Sequence, residues 1–343
     1  MARTPLSWFF KPSIFLMQLK LLPDEALDSF LSRNFVYAQR WRDTSINKWY
    51  AFGGVGHWTV SKISNLADML GVAGRGGDCY LYHYHTNYYR AIFAQEDLSW
   101  GYPPERFSAS AVRLVAAQKN VKLCPACLQS DYEKNGFIYW RRSHQGFDIA
   151  VCAQHNIKLV SACGGCHKPY LIYRHFFETP WTTCECGFSV LDLKPEANND
   201  LAEWKLSKFV IDLFSYKYQL KQDQLAGLIK RRLFALGLVD QENIKLKFQH
   251  SMNDVHYDVF SWNCLQIIEF GKFKVWGLPY VLAAIFDDFN DFANTVVKDD
   301  VERCHIYRQF FRYCANYINF IAAGPIYHAD ETIPPSRSKT LLS

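Results

Sequence analysis

The chain has 343 residues, long enough for several small domains with buried cores. Its composition, 49% hydrophobic and 21% charged with no low-complexity tract, excludes a disordered or fibrous protein. A net charge of +5 and a pI of about 8.5 fall short of the balance of a domain coated for phosphate binding, so contact with nucleic acid is expected to be local or shared with a partner.

The apolar stretch from Trp8 to Leu22 is interrupted by Lys11, Pro12 and Lys20 and lacks a small-residue cleavage site, so it does not read as a signal peptide. Pro23-Asp24-Glu25 then leads into Ala26, Leu27, Phe30, Leu31, Asn34 and Phe35, an amphipathic helix behind an acidic first turn. A second helix is expected from Thr59 to Leu70, with Ile63, Leu66, Ala67 and Leu70 on one face and Gly71 as its stop. Two such helices make a helix-turn-helix possible, although an ordinary helical hairpin has the same signature. Gly71 to Gly77 lacks the lysine and the preceding strand of a phosphate loop and reads as a flexible connection. Tyr80-Leu-Tyr-His-Tyr-His alternates with period two, which predicts a strand with His83 and His85 on one face; without a further ligand pair nearby, both are expected to be structural.

Between Cys124 and Cys186 lie four ligand pairs: Cys124/Cys127, Cys152/His155, Cys163/Cys166 and Cys184/Cys186. Two residues between paired cysteines let both sulfurs face one ion about 2.3 Å away, and four such ligands close a tetrahedron. The pattern predicts two structural zinc ions rather than a catalytic one, because eight ligands leave neither ion an open position for water. Sequential grouping places Cys124, Cys127, Cys152 and His155 around one ion and Cys163, Cys166, Cys184 and Cys186 around the other. The short stretch Asn156 to Ala162 favours this arrangement, and a cross-braced pairing stays open. Cys79, Cys264, Cys304 and Cys314 fall outside the pattern; an odd total of eleven cysteines suits a reducing, cytoplasmic setting. Between the first two pairs, Arg141 and Arg142 follow a run of aromatics and are candidates to clamp a phosphate or a partner's carboxylates, with a solvated arginine edge as the bland reading.

Lys194 to Asp200 reads as a linker. Helices are expected over Leu201 to Leu220, Gln222 to Leu236, Ser251 to Phe270, Trp276 to Asn294 and Glu302 to Ile321. Lys230, Arg231 and Arg232 lie near the end of the second of these, where cations complement the helix dipole. With Asn243 to Phe248 they are also candidates for half of a DNA-reading helix pair. The acidic group Asp287, Asp288 and Asp291 reads as a solvated face. Tyr313 to Ala329 is too broken by asparagines, glycine and proline to span a membrane, and the residues from Asp330 onward read as a disordered tail. The expected fold is therefore mainly α: a helical domain over 1–120, a double zinc module over 121–191, a linker over 192–200 and a helical domain over 201–329. No nucleophile elbow, Walker lysine or HExxH helix is present in the sequence, so a binding protein is favoured over an enzyme.

The segment LCPACLQSDYEKNGFIYWRRSHQGFDIAVCAQHNIKLVSACGGC resembles the TniQ/TnsD family of bacterial transposon target selectors. The matching positions are Cys124, Pro125, Cys127, Trp140, Cys152, His155, Leu159, Cys163 and Cys166, and Pro23 to Arg33, PDEALDSFLSR, resembles the first helix of family members. The chain departs from the pattern in the residues ahead of that helix, and its third segment matches only in helical character. The resemblance implies a non-catalytic matchmaker that brings an AAA+ ATPase regulator, TnsC, and a transposase to target DNA. TnsD-like members read a DNA site themselves, whereas TniQ members dock on a guide-RNA CRISPR complex, Cascade, which removes the need for a strongly basic reading surface. The moderate pI, the intermediate length and the HQGF stretch before Cys152 favour the TniQ branch, whose members resemble homodimers. The rival readings are a TnsD-like DNA reader, a zinc-stabilised transcription factor acting alone, and a zinc enzyme.

Overall fold

The computed structural model describes residues 21–37, 60–70, 77, 80–81, 84–86, 93–94, 120–146, 149–170, 183–216, 218–239, 264, 266–271, 277–301 and 303–305. The first helix, α1 (Leu27–Tyr37), starts where the acidic turn ends. Asp24 takes up a left-handed conformation, φ 56°, which turns the chain into the helix. The Glu25 carboxylate, fully buried, accepts hydrogen bonds from the Leu22 amide at 3.0 Å and from Arg33 Nε and Nη2 at 2.7 and 2.6 Å. This bidentate pair crosses two turns of α1 and satisfies both charges inside the protein. Helix α2 (Val60–Met69) buries Ile63, Leu66 and Ala67, and Leu70 follows them into the core, as their spacing predicts.

Helix α3 (Pro125–Asn135) belongs to the cysteine-rich module, and α4 (Leu201–Ser215) opens the C-terminal helices. Asp200 caps α4 by accepting from the Ala202 and Glu203 amides at 2.8 and 3.3 Å. Strand β2 (Tyr218–Lys221) follows, then α5 (Gln222–Ala235), which ends near Gly237 in the left-handed region at φ 64°. Helices α6 (Leu278–Ile285) and α7 (Phe289–Lys298) come next, and β3 (Arg303–His305) pairs antiparallel with β2. On the other edge of β2 runs β1 (Phe93–Ala94), parallel, with Phe93 opposite Leu220. One apolar core takes Leu27 and Phe30 from α1 and Ile63 and Leu66 from α2. It continues through Phe209, Val210 and Leu213 of α4, Leu228 and Ile229 of α5, Leu282 of α6 and Phe292 and Val296 of α7. Aromatic rings cluster in this core, with the Phe209, Phe286 and Phe289 rings within 5.3 to 5.7 Å of Phe292 or of one another.

The protein is helix-rich around a central cysteine-rich module, the fold class read from sequence, with four corrections. Tyr80, Leu81, Tyr84 and His85 are helical rather than extended, because Tyr80, Leu81 and His85 turn together into the core; His83 lies outside the described residues. The helix expected to reach Leu220 stops at Ser215, and its tail becomes β2. The single helix expected over Trp276 to Asn294 is two, because Phe286 is extended and Asp288 caps a new start by accepting from the Asp291 amide at 2.9 Å. Arg303 to His305 form β3 instead of the first turn of a helix, and Tyr307 to Ile321 lie outside the described residues. So do Gly71, Asn243 to Phe248, the tail from Asp330 and the chain between α1 and α2 that a helix-turn-helix requires. Among the described residues no helix is long and apolar enough to cross a membrane.

Candidate metal centres

Cys124 is the N-cap of α3, and its sulfur accepts the Cys127 amide at 3.4 Å. Pro125 occupies the first turn, where its missing N–H costs nothing, so CPAC places both sulfurs at one helix start. Gly136, at φ 75°, closes the other end.

The second pair sits on a different device. The Cys152 amide donates to Ile157 O and the Asn156 amide to Cys152 O, both at 2.9 Å, with Asn156 in the left-handed region at φ 51°. The same bonds recur eleven positions later: Cys163 N to Lys168 O and His167 N to Cys163 O, both at 2.9 Å, with His167 at φ 59°. Their flanking bonds, Leu159 N to Ala150 O and Tyr170 N to Ser161 O, repeat as well. CAQH and CGGC are thus two copies of one knuckle, a repeat that the residue identities hide. The fourth pair uses a tighter turn, with the Cys184 amide on Phe188 O and the Gly187 amide on Cys184 O, where Gly187 supplies φ 85°.

The knuckles close sequentially. His155 Nδ1 lies 3.4, 3.3 and 3.6 Å from the sulfurs of Cys124, Cys127 and Cys152, and Cys127 and Cys152 are 3.8 Å apart. In the second cluster Cys163 and Cys186 are 3.6 Å apart and Cys166 and Cys184 3.7 Å. Tetrahedral zinc needs sulfur–sulfur edges of roughly 3.8 Å and sulfur–nitrogen edges of roughly 3.5 Å, given bonds of about 2.3 and 2.0 Å. A disulfide would need sulfurs about 2 Å apart. The seven cysteines of the two clusters are all free thiols, so the clusters have the donors and the dimensions to hold one metal ion each.

The first cluster contains a residue that sequence reading did not single out as a ligand. Ring nitrogen of His144, buried at 4% exposure, lies within 4.8 Å of all three sulfurs. It arrives on a 3-10 turn, Arg142–His144, eight positions ahead of Cys152 and outside any tight ligand pair, so pair spacing gave no signal for it.

Packing around the clusters accounts for several neighbours. Gly164 and Gly165 let the third knuckle approach Phe188; a Cβ on Gly164 would stand 2.6 Å from the ring, and one on Gly165 2.9 Å from Phe188 Cβ and 3.2 Å from Cys186 Sγ. Val121, Leu123, Leu128, Ile138, Trp140 and Tyr170 form a small core between the clusters. The stretch read as a linker pairs with the second knuckle: Ile157 bridges Ala197, and Asn198 Nδ2 donates to Asn156 Oδ1 at 2.9 Å. Trp204 of α4 donates its indole N–H to Ala153 O inside the same knuckle at 3.0 Å.

The five basic candidates all have partners within the chain. Arg141 makes a fork onto Asp131 at 2.9 and 2.7 Å and lies over Tyr139. Arg142, nine-tenths buried, pairs with Asp24 at 3.3 Å and stacks on Phe214. Lys230 donates to Ile268 O, Arg231 pairs with Asp299 at 2.7 Å while staying exposed, and Arg232 reaches Ile285 O and Asp291, both at 3.1 Å. Asp291 and Asp288 are thereby occupied by an ion pair and a helix cap. His85 is held between Glu25 O, 2.7 Å from Nδ1, and the Tyr80 hydroxyl, 3.2 Å from Nε2, the contacts of a structural histidine.

These features define a helical protein carrying paired treble-cysteine and four-cysteine clusters tied to its first helix. The family model described as TniQ matches residues 16–159, which run from that helix through the first two ligand pairs. Over this stretch, a little under half of the 343 residues, the chain is similar to the TniQ family. No curated protein matches the chain.

Proposed function

We propose that the protein is a non-catalytic target-selection adaptor for a bacterial transposon, linking a guide-RNA Cascade complex on target DNA to the AAA+ regulator TnsC and the transposase. The match to the TniQ family model over residues 16–159 carries this reading. The two clusters act as structural zinc sites: each gathers at least four donors, with sulfur–sulfur contacts of 3.6 to 3.8 Å between its two ligand pairs, so four protein ligands can fill each ion's shell. The role of an RNA-guided adaptor over a direct DNA reader is supported by the basic residues, since Arg141, Arg142, Lys230, Arg231 and Arg232 all engage partners inside the fold. A protein relieved of reading sequence needs few cations aimed at phosphate.

The test is selection from a random duplex DNA pool by the purified chain at about 150 mM salt, followed by pull-down of Cascade and of TnsC. Motif-free, weak DNA binding together with capture of both partners is expected. Enrichment of one motif without Cascade would replace the adaptor with a TnsD-like DNA reader.

A further inference from the structure

Three thiolates around a divalent ion leave one net negative charge, and here the three sulfurs are buried. A buried charge needs compensating donors around it. One sulfur has a backbone donor: the Cys127 amide donates to Cys124 at 3.4 Å. A ring nitrogen of His144, almost fully buried, lies within 4.8 Å of all three.

The turn that carries His144 is fixed against the start of the first ligand pair. Gln145 Nε2 donates to Lys122 O at 2.8 Å and to Arg141 O at 3.1 Å, and Gln145 Oε1 accepts the Lys122 amide at 3.0 Å. Arg141 is locked to Asp131 of α3, the helix that Cys124 caps. Four-coordinate geometry is already complete with His155 Nδ1 at 3.3 to 3.6 Å from all three sulfurs, so a second imidazole within 4.8 Å of them has no ligand position to fill.

We propose that His144 is an outer-sphere residue of the first centre, donating a ring N–H to its thiolate cluster while Cys124, Cys127, Cys152 and His155 hold the metal. The RRSH turn then serves the metal site, setting the His144 ring beside the three sulfurs. The inference rests on the reading of the first cluster as a zinc site. It makes His144 a positioning residue, one that raises metal affinity without touching the ion.

The experiment uses the full chain, loaded with zinc and then with cobalt. In competition with a chromophoric chelator, His144→Ala is expected to weaken the first centre by about 10- to 100-fold, while the second centre is unchanged. His144→Gln keeps an N–H donor and is expected to recover most of the loss. In the cobalt form, His144→Ala should shift the thiolate-to-metal charge-transfer bands and leave the tetrahedral ligand-field bands intact, an effect that general loosening of the fold does not produce. If His144→Ala does not fold, His144→Phe fills the same space without a donor and carries the comparison. Collapse of the ligand-field bands would make His144 a direct ligand and overturn the proposal, as would unchanged affinity and unchanged charge-transfer bands. A wild-type chain that takes up only one metal ion would instead overturn the reading of the first cluster itself.

Discussion

Arg142 Nε stands 3.3 Å from Asp24 Oδ1, and its guanidinium lies 4.6 Å over the ring of Phe214. One side chain thereby joins the turn ahead of α1, the cysteine-rich module and α4. The backbone reinforces the junction: the Arg142 amide donates to Asp24 O at 2.6 Å, the Ala26 amide to Trp140 O at 2.9 Å, and the Trp140 amide to Ser29 Oγ at 2.9 Å. The two motifs that resemble the family, far apart in the chain, therefore form one contact surface in space.

Breaking that junction should cost stability in a coupled way. Arg142→Ala and Asp24→Ala are each expected to lower stability, and their double-mutant cycle should return a coupling of about 0.5–3 kcal/mol, measured by urea unfolding. Additive effects would mean that the pair contributes no more than its separate packing.

Cysteine replacement tests the metal sites directly. Cys124→Ser should reduce the zinc content of the purified chain from two ions to one and unfold the module, because apparent zinc binding of roughly 10–16 kcal/mol is also folding free energy. Cys163→Ser should remove the other ion. Metal analysis combined with circular dichroism reads both outcomes, and retention of both metals with unchanged melting would refute the ligand assignment.

Gly165→Ala should strain the second cluster. The added Cβ meets Phe188 and Cys186 Sγ at 2.9 and 3.2 Å, and overpacking of this kind costs about 1–3 kcal/mol. The cobalt spectrum of the second centre should change while that of the first does not.

His85 gives a pH dependence. Burial, with the Arg142 charge adding to it against the hydrogen bond with Glu25 O, lowers its pKa from 6.5 to about 3. The unfolded chain therefore takes up a proton below pH 6.5 that the folded chain refuses until about pH 3. Stability from neutral His85 is complete above pH 6.5 and falls as the pH drops toward 3, by up to about 1.4 kcal/mol per unit. Denaturation measured at pH 7, 6 and 5 should show a shallower slope for His85→Gln than for the wild type. Equal slopes would place the histidine in contact with water.

Much of this was legible in the chain. The buried faces of α1 and α2 follow helical periodicity at Leu27, Phe30, Ile63, Leu66 and Ala67, and the four ligand pairs announce themselves because metal-binding turns demand close spacing. Tyr80 to His85 misled because aromatic and histidine residues alternate there for reasons of packing, and a six-residue alternation is too short to separate strand from helix. Phe286 to Asp288 misled because apolar spacing continues across a break that the Asp288 cap creates.

Local spacing by itself determined the ligand pairs and most of the helical character, since each depends on residues a few positions apart. Tertiary structure alone decided the sequential grouping of the knuckles, the pairing of Arg141 with Asp131 and Arg142 with Asp24, and the arrival of His144 beside Cys152. Those outcomes depend on which distant segments pack together. A charge written in the sequence has no partner until the fold removes water from around it and leaves one side chain within reach.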